Sequence, residues 1–277
     1  MMSLSEQLYK TCETIAEQIQ LPKVKDIYLP LSNEQACKTR KFGLVILDDN
    51  STGFFFNLLT LPKVGSIPDY PRNVIDLAAW FLQTDIDKRA IGLGAIGAIT
   101  RHLYDRANYI PDTATNPMAD FNFTRDDHVG MVGYFPRLVD QLRSQGTRLT
   151  VLELDKQFVQ KADRFIVSMD PSALESCNKV LCTASTLINN TVDEILDAVS
   201  NAKRVAIIGP SASCIPDALF DRGVSVLGGT RVNQYDSFRE HCESGTDWRQ
   251  DVSKYCIEPH RYPGTSELLK RAILRST

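Results

Sequence analysis

The sequence predicts an α/β fold in which a Rossmann-like parallel sheet follows a smaller α+β unit. Three observations carry that expectation. From residue 128 onward, short apolar segments alternate with amphipathic helical ones, as strands do when each is followed by a crossover helix. Before residue 108 the order is different, with paired strand segments first and helical segments after them. Between Asn108 and Asp127 lie Pro111, Pro117 and several Asn, Asp and Thr with little periodicity, which is how a connection reads. The expected domains are therefore 1–110 and 111–277, a division that suits a chain of 277 residues.

Ser3 and Glu6 form a capping box, in which each side chain satisfies an N–H that the first helical turn leaves free. Leu4, Leu8, Cys12, Ile15 and Ile19 then recur at helical spacing until Pro22 stops the helix. Lys25–Leu29 is a short strand, and Phe42–Leu47 with Thr52–Leu59 makes a hairpin around Asp48-Asp49-Asn50-Ser51. Asn73–Leu82 and Asp85–Tyr104 are helical, the second with Ile86, Ala90, Leu93, Gly97 and Ala98 or Ile99 toward one side. In the second part the expected strands are His128–Val132, Arg148–Leu154, Phe165–Val167, Lys179–Ala184, Arg204–Ile208 and Val224–Leu227. Helices are expected at Pro136–Ser144, where Pro suits the first turn, around Phe158–Ala162, after Pro171, at Thr191–Val199 and at Pro216–Asp221. Thr191 and Glu194 repeat the capping-box spacing, which makes Thr191 an expected N-cap.

Composition narrows the function classes. The 31 Lys and Arg against 34 Asp and Glu give a net charge of −3, so the chain lacks the basic footprint of a nucleic-acid or anionic-lipid binder. No apolar run approaches the roughly 18 residues that span a bilayer. Glu6, Lys10, Glu13 and Glu17 interrupt the first segment, so a signal peptide is not expected. Seven cysteines without regular spacing suit a reducing cytosol, and the expected location is cytoplasmic.

The run Gly92-Leu93-Gly94-Ala95-Ile96-Gly97 has the form G-x-G-x-x-G. A dinucleotide site needs a strand before the first glycine, so that backbone N–H groups at a strand-to-helix turn meet the pyrophosphate. Here Asp85–Ile91 continue a helix, and the glycines are expected to serve close packing. At the place of a phosphate loop stands Gly133-Tyr134-Phe135-Pro136, where the two aromatics occupy positions that a dinucleotide site keeps small. They suit a ligand with a face to stack on. Glu153 closes the next strand 20 residues later, where doubly wound folds place a ribose-binding carboxylate, or it faces solvent. Thr186, Asn189, Gly209 and Ser211 lie on two further strand-end loops, and Ser211 and Ser213 could equally cap a helix ahead of Pro216. His241, Cys242, Cys256 and His260 are the one concentration of zinc-type ligands, but only Cys256-x₃-His260 has ligand-pair spacing. Cys214 would be a nucleophile only if a helix N-terminus lowered its pKa.

Taken together, Val129–Pro136, Leu149–Glu153, Thr186–Thr191, Gly209-Pro210-Ser211 and the closing Gly228-Gly229 resemble an uncharacterised family labelled for heavy-metal chelation. The resemblance covers nearly the whole chain and is strongest from about 128 to 230. It implies a Rossmann-like domain preceded by a domain similar to the enolase N-terminal fold, with the site in the cleft between them. Two positions depart from the family pattern. Gly97 stands where members tend to carry Asn, which would remove a polar group from the cleft, and Asn190 stands where they often have Gly. The resulting expectation is a protein that binds a small polar or metal-chelating molecule in that cleft, with a role in heavy-metal chelation or handling. Tyr134 and Phe135 would form a stacking wall, Glu153 an acceptor, and Thr186, Asn189 and Ser211 a polar rim beside the turns at Gly133 and Gly209. The alternative is a transferase or lyase that uses a nucleoside-bearing cosubstrate such as S-adenosylmethionine, with Glu153 on its ribose. A divalent metal or S-adenosylmethionine is the cofactor that these readings admit. The expected partners are the small molecule or metal chelate, with no nucleic acid or membrane. The oligomeric state is left open, a homodimer included.

Overall fold

A computed structural model describes residues 2–29, 42–57, 69–113, 121–244 and 246–275. The chain opens with α1 (Leu4–Gln18), whose capping box forms as its sequence predicts: Glu6 accepts from the Ser3 N–H at 2.7 Å and Ser3 Oγ accepts from the Glu6 N–H at 3.3 Å. Strands β1 (Val24–Tyr28), β2 (Phe42–Leu47) and β3 (Thr52–Phe56) make an antiparallel sheet in that order. Of the segment expected at Thr52–Leu59, residues 58 and 59 lie outside the described residues, as does Pro117 of the connection. Next come α2 (Val74–Ala78), continued by a 3₁₀ turn at Ala79–Leu82, and the long helix α3 (Ile86–Arg106).

Helix α3 differs from its expectation. Instead of presenting one apolar side, it is buried on every side from Arg89 to Thr100. The glycines explain how. A Cβ at Gly53 of β3 would run into the backbone of Gly94, Gly97 and Ala98, and one at Gly92 into the backbone of Phe81. The G-x-G-x-x-G run thus lies in mid-helix, where it lets a strand and a 3₁₀ turn approach to backbone distance.

The second sheet is built from β4 (His128–Val132), β5 (Arg148–Leu152), β6 (Gln160–Ala162), β7 (Phe165–Ser168), β8 (Lys179–Thr183), β9 (Arg204–Ile208), β10 (Val226–Val232) and β11 (Val252–Ile257). Around it lie α4 (Pro136–Ser144), α5 (Ser185–Ile188), α6 (Val192–Ala198), α7 (Asp217–Asp221), α8 (Tyr235–Ser244) and α9 (Thr265–Leu274). The strand order is β11-β10-β9-β8-β4-β5-β7-β6, parallel throughout except at the two edges, β6 and β11. The chain winds from β4 through β5 to β7 in one direction, then returns to β8 and winds through β9 to β10 in the other. The fold is the expected α/β one, a mostly parallel sheet with a smaller antiparallel sheet before it.

Several elements depart from the sequence reading for identifiable reasons. The segment near Phe158–Ala162 is a 3₁₀ turn followed by β6, because β6 pairs with β7 through a turn in which Arg164 takes φ 57°. Pro171 opens a single 3₁₀ turn rather than a longer helix. The strand expected at Val224–Leu227 runs on to Val232, hidden in sequence by Gly228-Gly229. A Cβ at Gly229 would meet the Tyr255 ring and, at 2.7 Å, the Ala212 carbonyl, so the strand centre there must be bare. Thr191 does not cap α6 with its side chain; its hydroxyl instead donates to Asn189 Oδ1 at 2.7 Å.

One polar cluster ties the entry of β4 to that of β8. Asp127 accepts from Lys179 Nζ at 2.8 Å, from Asn178 Nδ2 at 2.9 Å and from the Thr124 N–H at 2.8 Å. Burial opposes ionisation of this carboxyl, but Lys179, Thr124 and Asn178 hold its pKa at about 2. A depressed pKa stabilises the fold above the unfolded value near 4, and that contribution is lost as pH falls toward about 2. An Asp127→Asn chain is therefore expected to be less stable than the natural one at pH 7, with the gap closing between about pH 4 and pH 2. Urea unfolding at several pH values measures this; a gap that stays constant down to pH 2 contradicts it.

Among the described residues, no helix is long and apolar enough to cross a membrane.

Candidate functional site

The reversal of winding between β4 and β8 matters because crossovers leave the sheet in opposite directions there. They open a crevice at the carboxyl ends of the strands, where open α/β sheets bind ligands. A cavity of about 740 Å³ occupies this position. Each of the eight residues expected to contribute from sequence lines it. Gly133, Tyr134, Phe135 and Glu153 come from the loops after β4 and β5, and Thr186, Asn189, Gly209 and Ser211 from those after β8 and β9. The turns at Gly133 (φ 89°) and Gly209 (φ 135°) use backbone conformations that favour glycine.

The side chains are committed to different degrees. Glu153 Oε2 accepts from the Tyr134 N–H at 2.9 Å, and Oε1 accepts from the N–H groups of Leu154 at 2.8 Å and Asp155 at 3.2 Å. The carboxylate therefore joins the β4 and β5 turns, and a ligand can use only its remaining lone pairs. Thr186 Oγ1 donates to the Thr183 carbonyl at 2.8 Å, and Asn189 Oδ1 accepts from the Thr191 hydroxyl, so both are partly spent on holding their loop. The Tyr134 ring stacks on Phe158 with centroids 4.8 Å apart and planes 23° apart, which leaves a single face for anything else. Ser211 is different: it is 2% exposed, and its Oγ has no hydrogen-bond partner among the described residues.

The sequence reading missed the cavity's other wall. Phe42 and Phe56, partners across β2 and β3 with rings 5.4 Å apart, reach it from the small sheet. Nothing local marks them, because their place depends on how the two sheets meet. Glu194 and Met169 also line the cavity. In the sequence Glu194 shows only as half of a capping box. Among the described residues the lining thus holds two carboxylates, Glu153 and Glu194, and no Lys, Arg or His. With Pro136 opening α4 and therefore lacking an N–H there, the site has little to offer a phosphate.

Metal and nucleophile readings of the other candidates fare poorly. Among the described residues, no three His, Cys, Asp or Glu side chains converge as a metal site. His241 Nδ1 pairs with Asp251 at 2.6 Å, Cys242 and Cys256 are buried, and His260 is exposed. Burial pushes the Cys182 and Cys214 thiols up to about 12 and Cys177 to about 11, so all three are protonated at neutral pH.

A family model described as "Putative heavy-metal chelation" (DUF364) matches residues 116–259. The chain belongs to the DUF364 family. An uncharacterized protein of Methanocaldococcus jannaschii is 25% identical over 183 residues, covering 63% of this chain and 67% of that one. Two crystal structures of DUF364 proteins of unknown function share the fold. The one from Pyrococcus horikoshii has a TM-score of 0.70 at 19% identity, covering 92% of this chain and 99% of that one. The one from Desulfitobacterium hafniense has a TM-score of 0.66 at 17% identity, covering 91% and 98%.

The DUF364 description implies a heavy metal, and the donor set described above does not fit a bare soft ion: the described thiols are buried and dispersed. The two departures from the family pattern also acquire places. Asn190 takes φ 61°, a conformation that Asn and Gly tolerate best, and its Oδ1 accepts from Arg89 Nη2 at 3.0 Å. Gly97 does not line the large cavity; it lies against Ser213, beside a second and much smaller one.

Proposed function

We propose that this DUF364 chain binds a small, flat organic molecule, neutral or cationic, in the 740 Å³ cavity, and that a metal enters only as a chelate carried by that molecule. In this reading residues 1–110 and 111–277 are two domains and the cavity is the cleft between them. The observation that carries it is the make-up of the cavity wall, four aromatic rings with Ser211 beside them, whose buried Oγ has no partner among the described residues. Such a hydroxyl costs about 1–3 kcal/mol until something hydrogen-bonds to it. The aromatic lining of Phe42, Phe56, Tyr134 and Phe135 supports a planar ligand, and two carboxylates with no cation among the described lining residues support one that is not anionic. Glu153 and Asn189 supply acceptor capacity left over from their own loops, with Thr186 beside them.

Native mass spectrometry and elemental analysis of the purified protein test this. The expected result is a retained organic molecule with a conjugated ring system, any metal being present in no more than equal amount. Filling the cavity with Ser185→Phe is expected to remove it, and Ser211→Ala to weaken retention about tenfold, equivalent to one lost hydrogen bond of about 1.4 kcal/mol. Metal retained without an organic partner would sink the proposal. So would stabilisation by S-adenosylmethionine with no retained molecule, which would favour a nucleoside cosubstrate.

A further inference from the structure

The small cavity beside Gly97 lies between β3, α3, β10 and the loop after β9, and holds about 20 Å³. Among the described residues, three buried polar atoms without a hydrogen-bond partner belong to side chains that line it: Tyr104 Oη, Ser213 Oγ and Arg231 Nε. Tyr104 is 4% exposed and Ser213 6%, so water outside the cavity does not reach their hydroxyls. The space exists because residue 97 has no side chain; a Cβ there would come within 2.6 Å of Ser213 Oγ.

Charge separates the possible occupants. The cavity is flanked by two guanidinium groups, Arg101 and Arg231. Arg101 is paired with Asp105 at 2.5 Å and also donates to the Val232 carbonyl at 3.0 Å. Arg231 forms no ion pair among the described residues; burial and then the neighbouring Arg101 disfavour its charge, and Asp105 partly offsets them. Among the described residues two guanidinium groups thus share one carboxylate, Asp105, and a net positive charge borders a cavity lined by the residues of a donor-only N–H and two hydroxyls. A water would satisfy the hydrogen bonds but leave the charge. At about 20 Å³ the cavity takes one water-sized atom, too little for a whole phosphate.

We infer that this cavity is a monatomic-anion site, occupied in practice by chloride, with Arg231 Nε–H, Tyr104 O–H and Ser213 O–H as its donors. Its place gives it a task. Ser213 lies two residues beyond Ser211, so an ion held there fixes the loop that lines the large cavity.

Two measurements on the intact protein test the site. Crystals grown or soaked in bromide are expected to show one anomalous peak within hydrogen-bond distance of Arg231 Nε. At constant ionic strength, replacing gluconate by chloride is expected to raise Tm by about 3 °C at tenfold excess over Kd. The rise should vanish in Arg231→Gln and shrink in the near-isosteric Tyr104→Phe, which keeps the ring packing should the first variant fold poorly. A water in place of the bromide peak overturns the inference, as does a chloride-dependent rise of equal size in Tyr104→Phe and the natural chain.

Discussion

A Gly53→Ala chain is expected to lose at least about 3 kcal/mol of stability, the upper end of ordinary overpacking or beyond it. Overpacking is usually relieved by a side chain that turns aside. Here neither partner can. The added methyl would meet the Gly94 carbonyl, the Ala98 amide and, at 2.7 Å, the Gly97 carbonyl carbon, all main-chain atoms of a helix buried on every side. On its own side, Gly53 is held by the ladder that pairs it with Val45. Relief requires moving α3 away from β3 and opening contacts along the whole interface. Gly130→Ala is the control. Its Cβ would meet side-chain atoms of Leu174, Val180 and Cys177 at 3.1–3.2 Å, which can give by a few tenths of an ångström. That change is expected to cost less than half as much. Equilibrium urea unfolding reads both, and a Gly53→Ala chain within about 1 kcal/mol of the natural one would show that α3 can back away cheaply.

Replacing Arg89 by Met is expected to cost about 4 kcal/mol, in the range found when a buried charged network loses its centre. Arg89 is 6% exposed and pairs with no carboxylate among the described residues; it is a donor hub. Nε donates to the Ile188 carbonyl at 2.8 Å, Nη1 to that of Phe81 at 2.6 Å, and Nη2 to Leu187, Ser5 and Asn190 at 3.0–3.1 Å. Three of these acceptors are carbonyls at the ends of short helical turns, where backbone groups have no intrahelical partner. Methionine fills the volume but leaves those oxygens dry and unpaired, each worth about 1–3 kcal/mol. Asn190→Gly removes one acceptor and keeps the positive φ, so it is expected to cost far less. Comparable losses for the two variants in urea unfolding would contradict the hub reading.

What the sequence could disclose here was local. Strand ends, turn glycines and the polar loops behind them are written in short stretches, and the eight residues read from those loops do surround one cavity. Ser211 was found because Gly209-Pro210 ends a strand, although its lack of a partner is visible only in three dimensions. Phe42 and Phe56 could not be found, since their facing the cavity is decided by the approach of a different sheet. Glu153 follows β5 in the sequence, but its three backbone bonds depend on the register of β4 and β5. The sequence located helix α3 but not its enclosure, because a helix covered on all sides has no polar face to set the period. The strand through Gly228-Gly229 was cut short for a related reason: glycine lowers strand propensity wherever a neighbour, here Tyr255, takes the room of its side chain.

The enclosure of α3 also constrains how the molecule can fold. The helix donates through Arg89 to a carbonyl 99 residues away and through Arg101 to one 131 residues away, while its glycines wait for a strand that precedes it. No local event can dry such a helix, so loops of that length must close before their contacts repay the entropy. Until they do, a glycine-rich apolar rod is exposed to water and to other chains. Slow refolding and a tendency to aggregate from partly folded states are therefore built into the same close packing that holds the finished structure together.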